Sequence, residues 1–410
     1  MTANTRINVL ADRRIVLGVT GSIAAYKAAD LASKLTQAGA SVDVVLTESA
    51  CRFVSPLTYR SVTGRAAYID EDLWTESLLH IRLGREADLV LVAPCTATTL
   101  SRLAVGSGDS LLPLLTLAAD CPLLVAPAMD AGMYSHPATE ANIKTLVGRG
   151  VTILGPTEGR MASGEMGLGR MVEPATILGH VRKALGADGP LAGRMVVVTA
   201  GGTREPIDPV RVIANRSSGK QGFAVAQAAL DAGAQVRLIT TPTCLQPPVG
   251  AEMLAVETAG EMRDAVLEAS RAADILVMAA AVADFRPQGS KKQKIKRRHG
   301  TPELILEPTE DILQLALEQR QVSGKPDILV GFAAESENLI DHAQAKLKEK
   351  ALSLLVANDI SSEDAGFGVD TNRVVLLTQE VVEELPLLSK TDVAEAIIAH
   401  IVPLLDSGSS

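Results

Sequence analysis

Residues 199–222 read TAGGTREPIDPVRVIANRSSGKQG and follow a short apolar run in the middle of the chain. This stretch contains the adjacent glycines Gly201 and Gly202, and it ends with Gly219 and Gly222, where an alanine-rich helical pattern begins. Glycine lets the backbone approach a ligand closely, and the unpaired amides at a helix start attract anions. The stretch therefore predicts a phosphate-binding segment between a buried strand and a helix.

Two common phosphate-binding motifs do not match this stretch. A Walker loop requires glycine at the position of Ala214 and serine or threonine at that of Gln221. A dinucleotide fingerprint requires GxGxxG, which the residues after Gly201 do not supply. An ordinary glycine turn is the remaining alternative, but a long polar segment within a compact unit is more often functional.

Composition limits the class of protein. A chain of 410 residues is long enough for two domains, each with its own core. Hydrophobic residues make up 47% of the chain, aromatic residues only 2%, and the mean hydropathy is +0.20. These values predict well-packed α/β units with cores of Ala, Val, Leu and Ile. The net charge of −9 argues against a general nucleic-acid-binding protein.

The cysteines and the apolar segments predict a cytoplasmic protein. The cysteines form no CxxC pair and no metal-ligand spacing, which is typical of a reducing compartment. They are Cys51, Cys95, Cys121 and Cys244. The first residues are polar and lack the layout of a signal peptide. Residues 111–129 are apolar, but Asp120 and several prolines interrupt them, so we expect a helix followed by a buried strand.

The first half alternates short β-branched runs with alanine-rich helical patterns, which predicts a doubly wound sheet with ligands at the carboxyl ends of its strands. The expected strands are 15–19, 42–46, 89–92 and 123–125. Thr20 stands where a dinucleotide site would need its second glycine. We therefore expect hydroxyls and amides at the helix start to bind a single phosphate, as in a mononucleotide.

A second α/β series begins near residue 195, without a clear sequence repeat of the first. Its expected strands are 196–199, 235–240, 274–278, 327–332 and 354–356, followed by a hairpin at 374–378 and 381–385 and a helix at 391–405. The turn-rich segment GADGPLAG precedes it. We assign the first domain to residues 1–186, the linker to 187–193 and the second domain to 194–405.

Two further segments of the second half suggest ligand contacts. Asp284 comes directly after a buried strand, where it could cap a turn or contact a ligand. Residues 291–298 read KKQKIKRR. Such a basic run can bind nucleic acid, but in an acidic chain we favour a positive loop that closes over a triphosphate.

TAGGTREPID followed by NRSSGKQG resembles the nucleotide-binding segment of phosphopantothenate–cysteine ligases. Residues 14–402 as a whole resemble the bifunctional bacterial decarboxylase–ligases of coenzyme A synthesis. The resemblance implies two doubly wound Rossmann-like domains, a flavodoxin-like flavin-dependent cysteine decarboxylase and a C-terminal ligase. It also implies that CTP and Mg²⁺ activate 4′-phosphopantothenate as an acyl-cytidylate, from which the amine of cysteine displaces CMP.

The ligase resemblance assigns roles to particular residues. It implies that Asn215 handles the acyl-cytidylate, that Lys294 stabilises phosphate charge, and that Asp284 contacts nucleotide or metal. Lys294 begins KIKR, which matches a KIKK lid in the family. The full expected nucleotide site consists of Gly202, Ser218, Gly219, Ala279, Asp284, Lys294, Phe332, Lys346 and Lys350.

GSIAAYK at residues 21–27 and APCTATT at 93–99 resemble the FMN-binding turns of flavin-containing cysteine decarboxylases. Each turn alone could be ordinary helix capping. The resemblance implies FMN contacts by Gly21, Ser22, Ile23, Thr47, Pro94, Thr96, Thr98 and Met129. The flavin of that family lies between subunits of a trimer, so we expect a homo-oligomer with trimeric decarboxylase and dimeric ligase contacts.

Three expected catalytic residues of the first half are His80, Asp130 and Ser163. His80 matches the histidine beside the flavin, although a lone histidine is commonly structural. Asp130 stands in PAMD, where the family has PAMN to bind the substrate carboxylate, and an ionised aspartate would repel that group unless it is protonated or paired with a cation.

Ser163 lies in a glycine-rich flap where the family has a cysteine that returns a proton to the ene-thiol intermediate. A serine hydroxyl is a much weaker acid than a thiol. Either another group donates the proton, with Tyr134 and Glu165 as neighbours, or the first half stops at the ene-thiol or is slow. The alternative function is therefore a ligase with a regulatory flavin-binding domain. A peptidyl-cysteine decarboxylase would leave the ligase-like half unexplained.

Overall fold

The structure is a computed structural model that describes residues 8–160, 164–296, 303–335, 339–359, 366 and 368–407. The chain divides into two compact units, one formed by residues 8–185 and the other beginning at Gly186. Among the helices within these ranges, none combines the length and the apolar character that a membrane span requires.

The first unit is built on a six-stranded sheet with the order β3-β2-β1-β4-β5-β6, in which all neighbouring strands are parallel. The strands are β1 (Arg14–Val19), β2 (Ser41–Leu46), β3 (Ala67–Tyr68), β4 (Leu89–Cys95), β5 (Leu123–Pro127) and β6 (Thr152–Ile153). A separate hairpin follows, with β7 (Thr157–Arg160) and β8 (Met166–Arg170). This strand order confirms the doubly wound fold predicted for the first half.

The helices of the first unit are α1 (Ala25–Gln37), α2 (Pro56–Thr63), α3 (Asp72–Thr75), α4 (Leu79–Glu86), α5 (Ala97–Val105), α6 (Leu111–Ala118), α7 (Ala131–Tyr134), α8 (Pro137–Gly148) and α9 (Pro174–Gly186). Two apolar clusters pack against the sheet, one through Leu17 and Leu91 and the other through Val16 and Val90. Because alternate residues of each strand face opposite clusters, the strands are apolar throughout. The expected helix and strand within 111–129 are confirmed as α6 and β5.

The second unit contains an eight-stranded sheet with the order β13-β12-β9-β14-β17-β18-β20-β21. Its strands are β9 (Met195–Ala200), β12 (Gln235–Thr240), β13 (Glu252–Ala255), β14 (Ile275–Met278), β17 (Ile328–Glu335), β18 (Leu354–Asp359), β20 (Val374–Leu377) and β21 (Val382–Glu384). The neighbours from β13 to β18 are parallel, and β20 and β21 are antiparallel. The five predicted strands and the late hairpin are confirmed.

The helices and small strand pairs complete the second unit. The helices are α10 (Lys220–Asp231), α11 (Ala259–Ser270), α12 (Ile312–Ser323), α13 (Leu339–Glu349) and α14 (Lys390–Ser407). The strand pairs are β10 (Arg204–Asp208) with β11 (Arg211–Ala214), β15 (Phe285–Pro287) with β16 (Leu306–Pro308), and β19 (Thr371–Asn372) with β22 (Leu388–Ser389). Helix α14 confirms the expected closing helix, whereas the β10–β11 hairpin replaces the irregular excursion expected between β9 and α10.

The glycine-rich stretch after α9 packs on the second unit. A Cβ placed on Gly186 would lie 2.4 Å from the carbonyl oxygen of Asp231, and one on Gly189 would lie 2.4 Å from that of Ala232. The amide of Leu191 donates to the same Ala232 carbonyl at 2.7 Å, and the Leu191 side chain is buried. Glycine is therefore required here for close approach to the turn after α10, not for flexibility.

Candidate active sites

A pocket of about 470 Å³ lies in the second unit, beyond the carboxyl ends of β14 and β17. Many of the predicted ligase residues line this pocket, although they come from widely separated segments of the chain. They are Asn215, Ser218, Gly219, Ala279, Asp284, Phe332, Lys346 and Lys350. This is the edge at which parallel α/β sheets bind ligands.

The turn after β9 depends on close backbone contacts. Gly201 has a φ of +85°, and a Cβ at this position would lie 2.1 Å from the Thr241 hydroxyl oxygen. A Cβ on Gly202 would lie 2.7 Å from the carbonyl oxygen of Asn215. The lack of a side chain at Gly202 therefore allows the Asn215 backbone to approach closely. Gly202 itself does not line the pocket.

Asn215 is held between two loops. Its Nδ2 donates to the carbonyl of Val282 at 2.9 Å. The loop that carries Val282 is fixed in turn by the Thr203 hydroxyl, which accepts from the amide of Ala283 at 2.9 Å. These bonds connect the segment after β11 to the segment after β14, so the Asn215 side chain has a defined position at the pocket wall.

Helix α10 begins with features of an anion site. Gly219 stands at the N-cap with a φ of +76°, so the N-cap residue has no side chain that could cap the helix. The Gly219 amide donates to the Ser217 hydroxyl at 3.4 Å. A Cβ on Gly222 would lie 2.6 Å from the Cβ of Ala200, so this glycine allows the helix to pack closely against the end of β9. Residues 219–222 line the pocket, so the start of α10 faces it and can bind phosphate.

Two lysines provide positive charge opposite that helix start. Lys346 lies on α13, and Lys350 follows the helix and donates through Nζ to Asp311 Oδ2 at 2.8 Å. Burial alone would raise the pKa of Asp311, but the bonds from Lys350 and from the Gln314 amide outweigh burial and lower it. Asp311 is thus an ionised partner that orients Lys350.

The predicted basic loop is only partly described. Lys294 is exposed and does not line the pocket. Arg297 and Arg298, which complete the basic run, lie outside the described residues. The start of the loop is held by a backbone hydrogen bond, in which the Lys291 amide donates to the carbonyl of Ile207 at 3.0 Å.

A polar network in the same pocket was missed by sequence reasoning. Lys390 is buried, and its Nζ donates to the carbonyls of Gly366, at 2.8 Å, and Val369. Burial and the nearby Lys220 lower the pKa of Lys390. Its backbone carbonyl accepts from Gln221 Nε2 at 3.2 Å, which connects the start of α14 to the start of α10. No local pattern distinguishes Lys390 from a surface lysine, because its acceptors come from another part of the chain.

Asn358 at the end of β18 also lines the pocket. It is 9% exposed, and its Oδ1 is a buried acceptor with no hydrogen-bond partner in the described parts of the chain. Leaving a buried acceptor unpaired is unfavourable, so the atom fits a ligand or water donor in the pocket. An asparagine at the end of an apolar strand was the available sequence signal.

The first unit has a pocket of about 560 Å³ between the β1–α1 turn, the β5–α7 turn and β8. The predicted residues Ser22, Ile23, Met129 and Asp130 line it. The Met129 amide donates to the carbonyl of Gly169 at 3.0 Å, which attaches the β5–α7 turn to β8. The structure therefore brings together the first expected FMN turn and the expected substrate segment.

Thr20 connects the two predicted FMN turns. Its hydroxyl donates to the carbonyl of Pro94 at 2.8 Å and accepts from the amide of Thr96 at 3.0 Å. Thr96 in turn caps α5 by accepting from the amide of Thr99. The Thr20 hydroxyl therefore connects the end of β1 to the end of β4 through hydrogen bonds within the protein.

The remaining expected FMN contacts lie at the carboxyl ends of β1, β2 and β4, but they do not line this pocket. They are Gly21, Thr47, Pro94, Thr96 and Thr98, and Thr98 is exposed. A Cβ on Gly21 would lie 2.4 Å from the Cβ of Ser49. Thr47 donates through its amide to the carbonyl of Val19 at 3.0 Å. Gly21 thus allows the loop after β2 to approach the β1–α1 turn.

Asp130 caps α7 by accepting from the Gly132 amide through Oδ1 at 2.9 Å. An asparagine could accept the same bond. Lys27 and Arg170 add positive charge to this pocket, and both donate to Glu173, at 2.8 and 2.6 Å respectively. The hydrogen bond from Lys27 is the main reason that the pKa of Glu173 is lowered.

His80 lies in the first turn of α4 and does not line the pocket of the first unit. Its Nδ1 is buried and has no hydrogen-bond partner among the residues that the structure describes. Ser163 lies outside the described residues. Glu165 is exposed. The pKa of Tyr134 is raised, mainly by burial and to a smaller extent by the negative charge of Glu140.

Comparison with known proteins identifies both halves. Residues 6–186 match the Flavoprotein family, and residues 191–404 match the family described as DNA/pantothenate metabolism flavoprotein C-terminal domain. The chain is 44% identical to the coenzyme A biosynthesis bifunctional protein CoaBC of Bacillus subtilis (strain 168), over 97% of this chain and 98% of that protein. It is also 44% identical to the CoaBC of Mycobacterium tuberculosis (strain ATCC 25618 / H37Rv), over 97% and 98% respectively.

A solved structure of the C-terminal domain of CoaBC is 37% identical, covers 53% of this chain and 99% of that chain, and has a TM-score of 0.46. The expected resemblance is confirmed by the full-length relatives, whose identity extends through both units. The chain therefore belongs to the family of bifunctional CoaBC proteins of coenzyme A biosynthesis.

Proposed function

We propose that this protein catalyses two steps of coenzyme A biosynthesis, as a phosphopantothenate–cysteine ligase and a phosphopantothenoylcysteine decarboxylase. Family membership over almost the whole chain supports both activities. The observation that carries the ligase assignment is the single pocket that gathers Asn215, Asp284, Phe332, Lys346 and Lys350 at the ligand-binding edge of the sheet.

In the proposed ligase reaction, the carboxylate of 4′-phosphopantothenate attacks the α-phosphorus of CTP, and pyrophosphate leaves. The amine of cysteine then attacks the acyl carbon, and CMP leaves. The amides at the start of α10 and the lysines Lys346 and Lys350 bind the phosphates, and Lys294 stabilises charge on them. Asn215 orients the acyl-cytidylate, because its side chain is fixed to Val282 at the pocket wall.

The described residues contain no cluster of three His, Cys, Asp or Glu side chains that could hold a metal by themselves. This fits Mg²⁺, which commonly binds through one or two carboxylates and the substrate phosphates. Asp284, which lines the pocket, is the carboxylate that we assign to it. The ion would neutralise charge on the pyrophosphate leaving group.

We assign FMN to the first unit, where the close approach at Gly21 and the pocket beside Ser22, Ile23 and Met129 suit a mononucleotide. FMN supplies the oxidation and reduction of the substrate's thiol end that allow the carboxylate to leave as carbon dioxide. Asp130 positions the substrate, and Lys27 and Arg170 offset the negative charge of its carboxylate. His80 and several of the expected FMN contacts, Thr98 among them, do not line this pocket, so we propose that a second copy of the chain completes the flavin site.

The first experiment is to incubate the purified protein with 4′-phosphopantothenate, L-cysteine, CTP, Mg²⁺ and FMN and to identify the products by mass spectrometry. Formation of 4′-phosphopantetheine is the expected result. A parallel reaction with ATP tests the nucleotide preference, for which CTP is proposed. Absence of any CMP-linked product and of pyrophosphate would contradict the ligase assignment.

A regulatory role for the first unit is the second candidate function, because Ser163 replaces the expected proton-donating cysteine. Accumulation of phosphopantothenoylcysteine or its ene-thiol in the same reaction would favour this candidate. Formation of 4′-phosphopantetheine would instead require that another group returns the proton. Visible absorbance of bound flavin is expected in either case.

A further inference from the structure

A buried carboxylate outside the pocket lining, that of Asp208, connects the β10–β11 hairpin to the basic loop. Its side chain is 0% exposed. Oδ1 accepts from the amides of Val210 at 2.8 Å and Arg211 at 2.9 Å, which closes the hairpin turn. Closing a turn in this way uses only one of the two carboxylate oxygens.

The second oxygen of Asp208 binds a distant segment. Oδ2 accepts from the amide of Ile295, which is 87 residues away, at 3.1 Å. The same oxygen accepts from Arg211 Nη1 at 3.1 Å, and this nitrogen also donates to the carbonyl of Ile295 at 3.4 Å. Both polar groups of the Ile295 residue are therefore held by the hairpin.

The hydrogen bonds to Asp208 favour its ionised form. Burial alone would raise the pKa of the carboxyl, but the amides of Val210, Ile295 and Arg211 together with the Arg211 guanidinium lower it. Bonds from amides to an ionised oxygen are stronger than those to a neutral acceptor. The loop is thus anchored by a carboxylate that remains charged at neutral pH.

We infer that Asp208 is a positioning residue of the ligase reaction, because it fixes the backbone at Ile295 and thereby presents the adjacent Lys294 to the nucleotide phosphates. This inference rests on the proposed ligase function. Lysine has a long flexible side chain, so a fixed backbone reduces the freedom that must be lost when the ammonium meets developing charge. Groups that are positioned before the reaction stabilise the transition state without reorganising.

Asp208→Asn tests this inference at nearly constant volume. The amide nitrogen replaces one acceptor with a donor, so either the turn amides or the Ile295 amide faces another donor. Asp274→Asn is a matched control at the amino end of β14, opposite the pocket. Asp274 likewise accepts from a backbone amide, that of Met195 at 2.8 Å, and binds a cation, Lys325 at 2.7 Å.

The kinetic test measures CTP-dependent pyrophosphate release by the full-length protein and its variants. We expect Asp208→Asn to lower kcat by about 10- to 100-fold with a smaller change in KM for CTP, since misplaced charge affects the transition state more than binding. In a Lys294→Gln background, the same change is expected to lower kcat by less than about twofold, because coupled residues are not additive. Asp274→Asn is expected to leave kcat within about twofold.

Hydrogen exchange measured by mass spectrometry gives a readout without catalysis. Protection of the Ile295 amide is expected in the unmodified protein and in Asp274→Asn, and its loss is expected in Asp208→Asn. The inference is overturned if Asp208→Asn leaves kcat or that protection unchanged, or if its effect multiplies with that of Lys294→Gln. A protein that releases no pyrophosphate from CTP would overturn the proposed ligase function and this inference together.

Discussion

Each unit places its candidate site at the carboxyl ends of the parallel strands of its own sheet. The two units differ in how the first strand is connected to the following helix. In the first unit, β1 is followed almost directly by α1. In the second, the β10–β11 hairpin is inserted between β9 and α10. The insertion brings Asp208 to the basic loop and Asn215 to the pocket wall. The sheet therefore fixes where a ligand binds, and the connection determines which chemistry is available there.

The two pockets also differ in how many expected residues they gather. In the second unit, residues from separate segments converge on one pocket within the described chain. In the first unit, Ser22 and Asp130 share a pocket, but His80 does not line it. This difference suggests that the ligase site can be tested residue by residue, whereas the flavin site depends on additional contacts.

The largest effect is expected for Asn215→Ala. The change removes the side-chain amide that is anchored to Val282. Loss of one positioned polar group commonly lowers kcat by about 100- to 1000-fold. Pyrophosphate and CMP formation are the measurements, and decarboxylation of supplied phosphopantothenoylcysteine is the internal control. Equal loss of both activities would contradict separate sites in the two units.

Gly21→Ala is expected to weaken FMN binding by about tenfold or more, since a Cβ there would lie 2.4 Å from the Cβ of Ser49 and overpacking costs about 1–3 kcal/mol. Titration of flavin absorbance measures the effect. Gly148→Ala is the matched control, because its added Cβ meets no atom within 4 Å. Normal FMN affinity in Gly21→Ala would argue that the β1–α1 turn is not part of the flavin site.

A smaller effect is expected from Lys346→Gln. We find no side-chain partner for Lys346 in the described ranges, whereas Lys350 is bonded to Asp311. Removing a partly exposed charge should raise KM for CTP by about fivefold, which corresponds to ~1 kcal/mol, and leave the melting temperature nearly unchanged. Lys350→Gln should affect both KM and stability. A large loss of stability in Lys346→Gln would indicate a structural role instead.

The smallest effect concerns the ion pair between Lys27 and Glu173 in the first unit. Because the hydrogen bond from Lys27 lowers the pKa of Glu173 below its ordinary value of 4.5, this pair stabilises the fold above that pH. The stabilisation is lost as the pH falls through the lowered pKa. Glu173 is half exposed, so we expect at most about 1 kcal/mol. The measurement is thermal unfolding of wild type and Glu173→Gln at neutral pH and near pH 3.5, and the difference between them should shrink at the lower pH.

Sequence reasoning found the elements whose signals are local. The apolar runs that became β1, β9 and β14 are strong signals because their residues face helices on both sides of a sheet. The late hairpin and α14 were also predictable from pattern and turns. By contrast, β10 and β11 are short and polar, with Pro206 inside one strand, so their pairing depends on the tertiary environment.

The candidate sites follow the same rule. Residues within recognisable motifs, such as Asn215 and Asp130, were predicted, and the structure places them beside pockets. The roles of Lys390, Thr20 and Asp208 could not be predicted, because their partners lie far away in sequence. A buried cation or carboxylate is recognisable only when the groups that satisfy it are known.

The stretch from Gly186 to Leu191 affects how the enzyme could be divided for separate expression. It has the composition of a flexible linker. However, the Leu191 side chain is buried and the Leu191 amide donates a hydrogen bond to the Ala232 carbonyl, so the stretch packs as part of the second unit. A ligase fragment that starts at Met195 would lose this cover and expose the turn after α10. An independently expressed second half should therefore start at or before Gly186, so that the glycine-rich stretch stays attached to the unit on which it packs.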